Sequence, residues 1–323
     1  MREFLRKYRA ELAAIQLPPG LRRWTAKIGK VFEEEGVEFV ILGKSCYGAC
    51  DLADKEAKQV GADVLVHYGH ADMGLPASLP VLFVEARMLV NVTEKLEQGF
   101  EEIDSRRVGV VTTVQHVGEL QKVRELLTSR GIEVAIGKPG FRARYPGQVL
   151  GCDMGSATSV MGEVDEFLYL GTGRFHPLGV ALVTGKEVLT INPITGNFER
   201  WSRETESFLK KRRALVARAA CCRRFGVVTS TKIGQARFKL ARHLVEKLTK
   251  AGKDVQMILV DEVTPETLGD FGLDAVVCAA CPRIPIDDAE RFEIPLLTPF
   301  ELSLVLGERW EGYRLDVVKA IDF

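Results

Sequence analysis

The sequence predicts an α/β protein made of three similar small α/β/α domains with parallel sheets, related by internal triplication. Three observations predict it. One order of features occurs three times: a helix ending in Gly, a short β-rich run, a loop, a second helical stretch, an Asp, a second β-rich run and then a third. Two copies open on near-identical strands, VGVVTT from Val108 and FGVVTS from Phe225. The β-rich runs are apolar on both faces, which suits a parallel sheet covered by helices on either side.

The first copy reads EEEG-VEFVIL, then GADVLVHYG, then LPVLFVEA. The second has TSRG-IEVAI, EVDEFLYLG and LGVALVTG, and the third TKAG-KDVQMILV, GLDAVVCAA and IPLLTP. Before the first copy, MREFLRKYRAELAAI alternates charged and apolar side chains at helical spacing. Copy one is therefore expected to lack the opening strand of the other two. That stretch is neither a secretory core nor a hydrophobic span. In segment 119–131, Leu120, Val123, Leu126 and Leu127 make an apolar stripe, and in 236–252 Phe238, Ala241, Leu244, Val245 and Leu248 do the same. Gly131 and Gly252 are the expected stops. Segment 198–222, charged and rich in helix formers, reads as a long connecting helix. The expected domains are 1–105, 106–220 with the connecting helix near 200–220, and 221–323.

A chain of 323 residues, 46% hydrophobic and 27% charged, is long enough to bury a core in more than one domain. Its 44 basic residues balance 44 acidic ones, so there is no electrostatic footprint for nucleic acid or an anionic membrane surface. The chain is expected to be cytoplasmic. Its seven cysteines are then inert thiols, metal ligands or redox groups before they are disulfides.

The repeat places those cysteines. Cys50 stands thirteen residues before Asp63, and Cys152 thirteen before Asp165. Each is followed by an aspartate, Asp51 or Asp153. In copy three the same count back from Asp274 lands on Asp261, while Cys281 follows the next strand, where copy one has His70. In open α/β sheets, functional groups collect at the carboxyl ends of strands. Three domains arranged around a centre with those ends inward would bring Cys50, Cys152 and Cys281 to one site. A thiolate that opens a helix also gains from the positive end of its dipole.

Other readings stay open at this point. Cys221 and Cys222, among Arg and Ala on a helical stretch, read as small buried hydrophobes. Cys46 and Cys50 form C-x3-C, the start of the usual radical-SAM triplet, but Ala53 stands in its last place. Cys278 and Cys281 form C-x2-C, with Cys278 inside a strand run. The two pairs could build a four-cysteine zinc staple, and a small-molecule-binding protein without redox chemistry is a further alternative. The five histidines point to no histidine metal site, since only His67 and His70 are close in sequence.

Four motifs in order, YGACDLAD at 47–54, GADVLVHYGHADM, GTGRFHP at 171–177 and ACPRIPIDD at 280–288, resemble the diphthamide synthases that make 2-(3-amino-3-carboxypropyl)histidine, in their archaeal single-gene form. The resemblance covers essentially the whole chain. It implies three α/β domains around a [4Fe–4S] cluster held by Cys50, Cys152 and Cys281, with one iron left open for S-adenosylmethionine. It implies cleavage of the bond from sulfur to the methionine γ-carbon, transfer of the 3-amino-3-carboxypropyl group to a histidine of translation elongation factor 2, and release of methylthioadenosine. It also implies an unidentified electron donor and a homodimer. Candidates for holding the methionyl carboxylate or the adenosine are Gln235, Arg283, Arg174, His176 and His70, because an Arg fork in particular pairs well with a carboxylate.

Overall fold

A computed structural model describes residues 1–322. It is a mixed α/β protein with three sheets. The first holds β1 (Leu12–Gln16), β2 (Glu38–Leu42), β3 (Val64–Tyr68) and β4 (Val81–Val84). The second holds β5 (Arg107–Thr112), β6 (Glu133–Ala135), β7 (Glu166–Leu170), β8 (Glu187–Ile191) and β9 (Phe198–Arg200). The third holds β10 (Arg224–Ser230), β11 (Asp254–Val260), β12 (Ala275–Cys278) and β13 (Leu296–Leu297). Their spatial orders are β2-β1-β3-β4, β6-β5-β7-β8-β9 and β11-β10-β12-β13. Apart from the added β9, this is one order used three times, with every shared pairing parallel. In each copy the chain leaves the first strand to one side and returns on the other, which creates a switch point at the carboxyl ends.

Two expectations are corrected. Copy one does have its opening strand. The helix at the Met1 end covers only Arg2–Lys7, and LAAIQ then forms β1, the inner strand between β2 and β3. Ala13, Ala14 and Ile15 are all but inaccessible there. Burial on both faces outweighs the helix preference of an alanine pair, a preference of less than about 1 kcal/mol per residue. The second correction concerns segment 198–222. Its first three residues form β9, antiparallel to β8, and the helix runs only over Ser202–Ala220.

The recurring aspartate has a structural role in all three copies. The backbone N–H groups of Asp63, Asp165 and Asp274 donate to the carbonyls of Leu12, Arg107 and Arg224, at 2.9, 2.8 and 2.8 Å. The Asp63 carboxylate also accepts from the N–H groups of Glu11 and Leu12, and that of Asp274 from Arg223 and Arg224. Each aspartate thus ties the entry of the third strand to the start of the first. Helices Leu120–Ser129 and Phe238–Lys250 end before Gly131 and Gly252, whose φ angles of +82° and +71° need a residue without Cβ.

The chain divides into two compact units, residues 1–88 with Lys232–Gly234, and residues 89–231 with 235 onward. In the first, alternate strand residues face opposite layers. Ala13, Ile15, Val64 and Val66 pack with Phe32, while Ala14, Leu42 and Leu65 pack with Leu52 and Ala57. In the second unit, Val111 and Phe167 pack with Val180, and Val110 with Leu120, Val123 and Leu127. Around its other sheet, Val227 packs with Ala241, Leu244 and Leu248.

Candidate metal centre

Cys50 lies in a turn beyond β2, closed by the Asp51 N–H donating to Gly48 O at 3.0 Å. It is half-buried. The next side chain, Asp51, is buried and takes the Lys232 ammonium at 2.9 Å; Lys232 also reaches Ser45 Oγ at 3.2 Å and sits 4.7 Å from the Tyr47 ring centre. Burial holds the Asp51 carboxyl above its usual range, against the opposing pull of the ammonium. From the same segment, the Gly234 N–H donates to Cys50 O at 3.0 Å. A Cβ on Gly234 would fall 2.4 Å from the Cβ of Cys50, so only glycine allows this approach. Gln16, the last residue of β1, secures the other side of the turn. Its Nε2 donates to Asp51 O at 2.6 Å and its Oε1 accepts from Ala53 N at 3.1 Å and from His67 Nδ1 at 2.8 Å. His67 Nε2 in turn meets His70 Nδ1 at 2.9 Å, which joins His70 to the Cys50 loop. Burial holds His67 and His70 down at about 3 and about 4.

Cys152 occupies the matching crossover of the second sheet, also half-buried, but its aspartate is used differently. Asp153 has no lysine partner among the described residues; it accepts backbone N–H groups from Arg142 at 2.6 Å, Ala143 at 3.0 Å and Gly155 at 2.8 Å. Arg142 is buried and its Nη1 lies 3.8 Å from Cys152 Sγ, a weak N–H···S contact that places a cation beside the thiol. Residues 316–322 close this loop. The Val318 N–H donates to Cys152 O at 2.9 Å, while Asp316 and Asp322 grip the buried Arg237 at 2.6 to 3.0 Å.

Cys281 follows β12 and is half-buried. Cys278 meets it through the backbone, its thiol donating to Cys281 O at 3.7 Å. It closes the strand with no exposure, packs among Val228, Ile258 and Val276, and burial pushes its thiol up to about 12. Two residues beyond Cys281, the Arg283 guanidinium lies 5.2 Å from the centre of the Phe175 ring and donates from Nε to Asp287 at 2.6 Å. The same ring abuts Gly151, where a Cβ would come within 2.5 Å of it. Phe175 therefore joins the neighbours of Cys152 and Cys281. Next to it His176 stacks on Tyr169 at 6.0 Å, and burial with the nearby Arg283 holds the imidazole at about 4. The Tyr169 hydroxyl is buried with no hydrogen-bond partner among the described residues.

The structure gathers Arg283 and His176 around Phe175. Arg174 turns instead over the Trp201 ring at 5.7 Å and lines a cavity of about 670 Å³. Gln235 is buried just past the Lys232–Gly234 segment, its carbonyl accepting from Thr229 Oγ1 at 3.4 Å. The helix-dipole expectation fails. The helices after the three cysteines, Asp54–Gln59, Gly155–Thr158 and Ile284–Asp287, are 6, 4 and 4 residues long and start three or four residues downstream, too short and too far to act on a thiolate. Cys221 also departs from expectation: it caps the helix Ser202–Ala220 and is exposed. Gln16, Lys232, Gly234 and Arg142 carry no sequence signal for a site, because each acts through a contact with residues remote along the chain.

Residues 17–314 match the family of diphthamide synthesis proteins. The chain belongs to this family. It is 42% identical over 316 residues to the 2-(3-amino-3-carboxypropyl)histidine synthase of Pyrococcus horikoshii, covering 97% of this chain and 91% of that one. It is 30% identical to the synthase of the same name from Methanocaldococcus jannaschii, over 95% of this chain and 88% of that one. The crystal structure of Dph2 from Pyrococcus horikoshii with a 4Fe-4S cluster superposes with a TM-score of 0.92 at 40% identity, covering 98% of this chain and 92% of that chain. The enzyme activity is that of a 2-(3-amino-3-carboxypropyl)histidine synthase, a transferase of diphthamide synthesis, which implies a protein substrate. No helix among the described residues is long and apolar enough to cross a membrane. The donors present suit an iron–sulfur cluster of the kind that the family relative carries. The three cysteines at strand carboxyl ends are half-buried, whereas Cys46 and Cys278 are buried. Lys232 lies by the Cys50 loop and Arg142 beside Cys152.

Proposed function

We propose that the chain holds a [4Fe–4S] cluster on Cys50, Cys152 and Cys281, and that it transfers the 3-amino-3-carboxypropyl group of S-adenosylmethionine to a histidine of translation elongation factor 2. The observation that carries this reading is the match, across nearly the whole chain, to a relative whose structure contains a 4Fe-4S cluster. Three half-buried cysteines at corresponding ends of three sheets support it. When bound, a cluster with three protein ligands supplies an open iron and the electron that cleaves the sulfonium carbon–sulfur bond.

The chain's own residues do the rest. Gly234 and the Lys232–Asp51 pair fix the Cys50 turn, and Arg142 together with segment 316–322 fixes Cys152. Arg283 has Nη groups to pair with the methionyl carboxylate while Asp287 takes its Nε. His176, held neutral by burial, offers a hydrogen bond without repelling a sulfonium. Gln235 and His70 complete the proposed substrate contacts. The reading includes an external electron donor and a homodimer.

Anaerobic incubation with S-adenosylmethionine, dithionite and the elongation factor tests it. Methylthioadenosine and a modified histidine are expected. Production of 5′-deoxyadenosine in its place would move the chain to ordinary radical chemistry.

A further inference from the structure

Cys46 plays no part in the three-cysteine reading, yet the fold brings it to two imidazoles. Cys46 Sγ and one ring nitrogen each of His67 and His70 lie within 4.8 Å of one another. Cys46 and His67 are buried and His70 is half-buried. His67 ends up inside the sheet as part of β3, and Gly69, with φ of +90°, folds the chain back so that His70 returns beside it. Three residues that the sequence spreads over 46–70 thereby form one enclosed group.

The hydrogen bonds around the group select the ring atoms that face its centre. Ala53 N–H can only donate, so Gln16 Oε1 is the acceptor there, and Gln16 Nε2 donates to Asp51 O. His67 Nδ1 must then donate to that Oε1, which leaves the lone pair on Nε2, toward His70. An imidazole whose far N–H is pinned by an oxygen while its near nitrogen is bare is arranged as metal-binding histidines are. The remaining donor is a thiol. One sulfur and two imidazole nitrogens make the mixed set that borderline-soft divalent cations prefer.

We infer that Cys46, His67 and His70 form a second metal site, specific for a single divalent cation of the zinc class and separate from the cysteines of the cluster reading. Binding releases the Cys46 thiol proton to solvent and forms the metal–thiolate bond. The hydrogen between the rings belongs to His70 Nδ1; on binding that proton is lost to solvent and one is taken up at His70 Nε2, so His70 stays neutral and its Nδ1 lone pair meets the cation. The two nitrogens, 2.9 Å apart, separate to the roughly 3.4 Å that metal–nitrogen bonds of about 2.1 Å impose, a shift of about half an ångström. Three protein ligands leave a fourth position for water. The inference does not depend on a bound cluster.

The test measures metal content, not activity. The full chain, reconstituted anaerobically with iron and sulfide, is equilibrated with zinc(II), desalted and analysed for both metals. Wild type should retain about one zinc per chain beside its iron. Cys46→Ala and His70→Asn should lose the zinc and keep the iron. Cys50→Ser should lose iron and keep the zinc. Gln16→Ala should weaken zinc binding about tenfold, because it frees the His67 tautomer. Circular dichroism verifies folding of each variant, and cobalt(II) bound to Cys50→Ser should give a thiolate charge-transfer band that Cys46→Ala/Cys50→Ser lacks. The inference is overturned if wild type retains no zinc, if zinc survives both Cys46→Ala and His70→Asn, or if folded Cys50→Ser loses it.

Discussion

The backbone of Gly234 lies against Cys50, its N–H donating to the Cys50 carbonyl at 3.0 Å with no room for a methyl group between them. Gly234→Ala should therefore displace the Cys50 turn and cost roughly 1–3 kcal/mol, as overpacking at a tight contact does. Iron content after anaerobic reconstitution should fall with it. A Gly234→Ala protein with full iron and an unchanged urea midpoint would refute the constraint.

Lys232 and Asp51 are a buried pair with little access to water. Removing one partner leaves the other charge uncompensated, so Lys232→Met should cost about 3–5 kcal/mol. Lys232→Met with Asp51→Leu should recover much of that loss, since it removes both desolvation costs. Urea unfolding of the three variants measures the difference, and an additive double variant would contradict a direct pairing.

Arg142 adds a positive charge next to Cys152 Sγ. A reduced cluster carries one more negative charge than an oxidised one, so Arg142→Gln should make reduction harder. The expected shift is roughly 50–100 mV to more negative potential, from a loss of about 1–2 kcal/mol of differential stabilisation. Redox titration followed by electron paramagnetic resonance measures it, and an unmoved potential would assign Arg142 to packing alone.

The histidines give the metal-free protein an acid limit. His67, His70 and His176 are held at about 3, 4 and 4 against an ordinary 6.5. All three are neutral when folded and take up protons on unfolding once the pH drops below 6.5. Their contribution is thus complete above that pH and is lost as the pH falls toward 4, by at most about 1.4 kcal/mol per pH unit for each. Urea midpoints should fall from pH 7 to pH 5, and His67→Gln should flatten the slope. An equal slope in that variant would show that other groups titrate.

Periodic features were legible in the sequence because they arise from neighbours along the chain. The glycine stops, the recurring aspartates and the equal spacing from Cys50 to Asp63 and Cys152 to Asp165 all appear in the fold as three sheets of one strand order. β1 was missed because a five-residue alanine-rich strand has no periodicity of its own, and its identity comes from being enclosed by β2 and β3. The contacts that hold the candidate site were not legible for a related reason. Lys232 meets Asp51 across 181 positions, and Phe175 is shared by Gly151 and Arg283. His67 and His70 carry no metal signal in the sequence, because Cys46, whose sulfur the fold brings within 4.8 Å of their ring nitrogens, sits in a different loop.

The late segment that binds Arg237 and the Cys152 carbonyl has a bearing on biosynthesis. Residues 316–322 leave the ribosome after all three cysteine loops, yet the Cys152 loop needs Val318 to complete its hydrogen bonding. Earlier parts of a chain fold first during translation. A nascent chain can thus fold most of its sheets while this loop is still open, and the loop closes only after residue 318 has left the ribosome.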